Sequence, residues 1–82
     1  MLTITYECTD PYAVRGMPFH TRPAERLVFV SPELVALGCP KNDVAQAITW
    51  AACNNSLRLV SRKPTKLISR TMREMTLTLE VL

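Results

Sequence analysis

Glycine is nearly missing from this chain: two in 82 residues, beside one tryptophan and one histidine. A phosphate-cradling loop needs several closely spaced glycines so that backbone N–H groups can approach the ligand. Gly16 and Gly38 stand far apart and build no such loop. No nucleophile motif appears, and no pair of carboxylates shares one face of a helical stretch. These absences exclude the common enzyme classes and leave no motif for a cofactor.

Cysteine is scarce as well. Cys8, Cys39 and Cys53 are odd in number and none is spaced as C-x-x-C. With His20 they reach the ligand count of a zinc site, but the spacings match no finger or ribbon. A Cys–His catalytic pair lacks a constellation for the same reason. The three read as reduced thiols that behave as small hydrophobes. No apolar run approaches the roughly 18 residues needed to span a bilayer. The first residues, MLTITYEC, have neither a basic start nor an apolar signal core. The expectation is a cytoplasmic protein without metal or membrane anchor.

What is present is apolar and unevenly charged. Hydrophobic residues make up 48% of the chain, which argues against disorder. At this length the chain forms one domain, residues 1–82. Such a chain buries only about 60–65% of its unfolded surface, so the core is thin and self-association would help it.

The stretch 40–55, PKNDVAQAITWAACNN, is the clearest helix. Asn42 or Asp43 can cap its start, and Gln46 stands three residues after Asp43 in capping-box spacing. Four alanines favour helix, and Asn54 and Asn55 suit its end. At about 100° per residue, Val44, Ile48, Ala51 and Ala52 share the expected core face, with Ala45 and Ala47 at its edges. Asp43, Gln46, Trp50, Cys53 and Asn54 fall on the other side. Trp50 there has two readings. A loop of the same chain covers it, or it anchors an interface with Asp43, Gln46 and Asn54 around it.

Leu2, Ile4, Tyr6 and Cys8 alternate with Thr3, Thr5 and Glu7, the period of a half-buried strand. Residues 10–25 hold Pro11, Pro18, Pro23 and Gly16 and keep no period; they read as a long loop able to cover the core. Arg26–Val30, RLVFV, reads as a strand buried on both faces. Ser31 then caps a short helix with Pro32 at its first position and Gly38 as its stop. Ser56–Arg62 reads as a third strand. Pro64–Met75 fits a helix, on the offsets of Leu67, Ile68, Met72 and Met75, although Lys66–Met72 also fits a ragged strand. Thr76–Leu82 is a clean strand. The fold class is α+β: about four strands in one at least partly antiparallel sheet, with two or three helices on one face. The Thr-bearing first and last strands either lie side by side or leave one edge exposed.

Residues 1–57 carry four Lys/Arg against five Asp/Glu, whereas residues 58–82 carry six against two. Arg58, Arg62, Lys63, Lys66, Arg70 and Arg73 follow one another with no acid between them. Such a run is a solvated face, a phosphate-tracking surface, or a match for an acidic protein. The two helices around Gly38–Lys41 invite a helix-turn-helix or ribbon-helix-helix reading. The second helix carries no Lys or Arg to hold it on a DNA backbone, so that reading fails. Aromatics that would stack single-stranded bases are absent from the basic run.

The sequence therefore points to a small non-enzymatic regulatory protein that binds another protein through Trp50. Inhibitors and antirepressors of mobile elements share this scale. A homodimer, through an edge strand or the Trp50 face, accompanies that reading. The alternative is a nucleic-acid-binding module using the basic 58–73 segment.

Overall fold

The computed structural model describes residues 2–9, 25–70 and 72–82. The loop reading for 10–25 lies outside these residues, except that Glu25 opens a strand. The order is β1 (Leu2–Thr9), β2 (Glu25–Val30), α1 (Pro32–Ala36), α2 (Val44–Cys53), β3 (Leu57–Leu67) and β4 (Met72–Val81). The four strands form one antiparallel sheet in the order β2-β1-β4-β3.

The first and last strands are the central pair. Leu2 stands opposite Leu79, Ile4 opposite Leu77 and Tyr6 opposite Met75, so the apolar alternation of the two strands is in phase. On this face Ile4, Tyr6, Met75, Leu77 and Leu79 are buried and form a core cluster with Leu34 of α1 and Val44, Ala47 and Ala51 of α2. The opposite face carries Thr3 against Thr78 and Thr5 against Thr76. The Thr5 and Thr76 hydroxyls lie 3.2 Å apart, a cross-strand contact of the kind that helps fix register.

β2 corrects one expectation. It is an edge strand rather than one buried on both faces, and Val28 and Phe29 are 45% and 51% exposed. A register shift opposite Thr5 and Tyr6 accommodates the extra residue Val28. An apolar run alone cannot distinguish a buried strand from an edge strand whose outer residues stay open.

The helix expected over Pro64–Met75 is also corrected. Those residues finish β3, turn, and begin β4. Pro64 is tolerated because β3 is an edge strand, where a missing N–H need not break a ladder. Register shifts at Leu59/Ser61 and Pro64/Lys66 make the strand irregular, and this blurs its period-two pattern. The sheet thus has two helices on its core face.

α2 begins where expected: Asp43 is the cap, and its Oδ1 accepts from the Gln46 N–H at 2.9 Å. Its core face is turned, however. Val44, Ala47 and Ala51 are buried, Ile48 is half-buried, and Ala45 and Ala52 are exposed. Ile48 and Trp50 therefore flank the buried stripe from its two sides and both pack against the core. Four alanines give the helix little apolar asymmetry, so the bulkier flanks mislead the periodicity.

Ser31 does more than start α1. Its side chain makes no cap hydrogen bond to the helix. The Thr3 N–H instead donates to Ser31 Oγ at 2.9 Å, and the Ser31 N–H donates to the Thr3 carbonyl at 3.0 Å. A buried serine thus adds one rung to the β1–β2 ladder after β2 has ended. Ser31→Ala leaves the Thr3 donor without this partner. The expected loss is about 1–3 kcal/mol. Thermal unfolding should register it as roughly 4–8 °C per kcal/mol for a domain of this size. An unchanged midpoint would show that the rung carries no stability.

Candidate protein-binding surface

The proposed interface residues separate into two kinds. Trp50 and Gln46 line a shallow hollow of about 450 Å3 on the outer side of α2, together with Pro40, Ala45 and Thr49. Asp43 and Asn54 serve the backbone. Asp43 caps the helix, and Asn54 Oδ1 accepts from the Ser56 N–H at 2.9 Å to hold the turn into β3.

Trp50 is half-buried rather than fully displayed. One side of the indole meets the core, and its Nε1 lies 3.9 Å from where a Cβ on Gly38 would be. Gly38 ends α1 at φ +109°, a conformation that side-chain-bearing residues rarely adopt. This turn sets Cys39 into the core and brings the chain back toward Trp50. Among the described residues no acceptor meets the indole N–H. The hollow therefore offers an apolar ring and no charged side chain among the described residues that line it.

The six cations are drawn apart by the strand alternation. Arg58 pairs with Glu80, and Lys66 stands opposite Glu74, on the helix-free side of the hairpin. Arg62 points to the core side, where its Nη2 donates to the Tyr6 hydroxyl at 3.0 Å and ties edge strand β3 to β1 across β4. Arg73 stands opposite Cys8, and its Nε is buried without a hydrogen-bond partner among the described residues. Lys63 is exposed opposite Thr76, and Arg70 lies in the turn. A helix would have stacked four of these on one side; the hairpin distributes all six over two faces and a tip.

The thiols do not converge. Cys39 is buried, Cys8 half-buried and Cys53 exposed, and among the described residues no three His, Cys, Asp or Glu side chains come together. Burial pushes the Cys39 thiol up, which leaves it mostly protonated and unreactive.

An apolar slot at the end of the sheet was not anticipated from sequence. Leu2, Ala36, Leu37, Leu79 and Val81 line about 570 Å3 there, with Glu33 at its rim; Glu80 also borders it, with its side chain turned to the helix-free face. Its signal lay in LVALG and TLTLEVL, which carry more aliphatic side chains than a five-residue helix and a strand end can bury. Among the described residues no helix is long and apolar enough to cross a membrane. No family model matches the chain, and neither a curated protein nor a solved structure does.

Two measurements check this geometry. Thiol labelling of the folded protein should modify Cys53 quickly and leave Cys39 protected until unfolding. The raised Cys39 value means that its share of stability holds below the ordinary thiol range and fades as pH climbs through it. Equal labelling of both in the folded state would contradict the burial. Gly38→Ala should destabilise by about 1–3 kcal/mol through backbone strain alone, because the added carbon meets Trp50 only at ordinary contact distance.

Proposed function

We propose that this chain is a small non-enzymatic regulatory protein that acts by occupying an acidic surface of another protein, in the manner of an inhibitor or antirepressor. The observation that carries this reading is Trp50. It is fixed against the core on one side and borders a charge-free hollow on the other, with its N–H unpartnered among the described residues. A rigid aromatic with a spare donor is the side chain most often found at the centre of a binding hot spot. Gln46 and Thr49 supply a polar border to the same hollow.

The preference for an acidic partner comes from charge. The chain carries a formal +3, with its excess of Lys and Arg on the β3–β4 hairpin. Excess charge elsewhere on a binding protein raises the association rate and orients the encounter more than it adds affinity. The nucleic-acid reading is the weaker of the two. Phosphate tracking wants cations along one surface, and here Arg58 is neutralised by Glu80 while Arg62 is engaged by Tyr6.

Affinity capture from the native host, with wild type and Trp50 variants as bait, tests this. A specific partner should be retained by wild type after nuclease treatment. Trp50→Ala should weaken its binding by roughly 30-fold or more, as for a hot-spot residue. Trp50→Phe, which keeps the packing and removes the donor, should lose only the hydrogen bond, roughly two- to tenfold. Equal retention by Trp50→Ala would refute the reading, and capture abolished by nuclease would favour nucleic acid.

A further inference from the structure

The two ends of the sheet are chemically complementary. At one end lies the slot formed by Leu2, Ala36, Leu37, Leu79 and Val81. Leu37 and Val81 on its walls are 52% and 60% exposed. Glu33 stands at its rim with no ion-pair partner among the described residues, while the Glu80 side chain turns to the helix-free face and is held there by Arg58. This opening is therefore built for aliphatic side chains flanked by positive charge.

The other end of the sheet presents that combination. The β3–β4 turn reads Lys66-Leu67-Ile68-Ser69-Arg70. Leu67 and Ile68 are 72% and 40% exposed, and neither belongs to the core cluster. The turn is stitched in place. The Ile68 and Ser69 N–H groups both donate to the Met72 carbonyl at 3.1 Å, and the Met72 N–H donates to Ser69 Oγ at 3.2 Å. Lys66 and Arg70 have no ion-pair partner among the described residues. An apolar pair on a fixed turn, bracketed by cations, is a preformed ligand with little ordering left to lose on binding.

A chain cannot fill its own slot. The slot is lined by Leu79–Val81 at one end of β4, and the turn adjoins Met72 at the other. At about 3.3 Å per residue these points lie roughly 30 Å apart. We propose that the Leu67–Ile68 turn of one copy docks into the Leu37/Val81 slot of a second copy, with Lys66 and Arg70 facing Glu33. The two surfaces differ, so the contact is heterologous and repeats head to tail, ending in a closed ring or a growing filament. It leaves Trp50 free and stands independently of the partner proposed above.

Sedimentation of the purified chain from micromolar to millimolar concentration tests this. Wild type should show an average mass that rises with concentration past that of a dimer. A tip variant, Leu67→Glu with Ile68→Glu, and a slot variant, Leu37→Glu, change exposed side chains, and circular dichroism should show both folded. Each alone should remain monomeric. Mixed in equal amounts they should form a one-to-one dimer and nothing larger, because one intact turn and one intact slot remain. Glu33→Lys should weaken assembly by roughly two- to fivefold, the range of an exposed ion pair, and Lys66→Glu added to it should restore the loss. A wild type that stays monomeric throughout overturns the proposal. So does a mixture of folded variants that fails to dimerise, or a tip variant that assembles like wild type. Should Leu37→Glu fail to fold, Glu33→Lys takes its place beside the tip variant, and an unchanged assembly constant for it overturns the proposal.

Discussion

The antiparallel pairing of β1 with β4 is the contact on which the other elements depend. It joins residues about 70 positions apart, Thr5 with Thr76 among them. Its alignment places Ile4, Tyr6, Leu77 and Leu79 on one face, and that face is the floor of the core. A slip of one residue would turn those side chains to the threonine face and expose them. β2 then adds to the free edge of β1 and β3 to that of β4. The helices contribute Leu34, Val44, Ala47 and Ala51 as a roof. Pairing at such sequence distance is slow to form, since loop closure precedes the contacts that offset it.

Ser31 and Arg62 show how so thin a domain secures its edges. Each reaches a central strand from an edge, Ser31 at Thr3 and Arg62 at the Tyr6 hydroxyl. Neither role follows from residue type. A serine before proline signals a helix cap, and its capture by a strand backbone depends on where β2 stops. An arginine in a basic run signals a solvated charge, and its engagement depends on strand alternation across β4. Both are tertiary facts with no local signature.

The strands that carry the centre were legible because TITY and TLTL alternate cleanly over matched threonines. Asp43 was legible because capping is local chemistry. The 64–75 segment was not, because Leu67, Ile68, Met72 and Met75 satisfy a helical offset and the competing strand is broken by two register shifts. Pairing of its second half against β1 and of its first half against β4, invisible to a local window, decides it. The face of α2 was displaced rather than missed: Val44 and Ala51 are buried as expected, but Ala47 is buried in place of Ala52, because small alanines allow close approach to the sheet. Of the candidate interface, Gln46 and Trp50 do share one hollow, while Asp43 and Asn54 are occupied by backbone work. The apolar slot was hidden because it is assembled from β1, α1 and β4.

β1 and β4 are adjacent, in register, and form the middle of the sheet. Nuclear Overhauser contacts between backbone protons test it directly. Cross-strand contacts should join Thr3 with Thr78 and Thr5 with Thr76, and contacts between β3 and β4 should run as far as Leu67 and Arg73. Sequential helical contacts over residues 64–75, or the absence of any contact between residues 2–9 and 72–79, would contradict it.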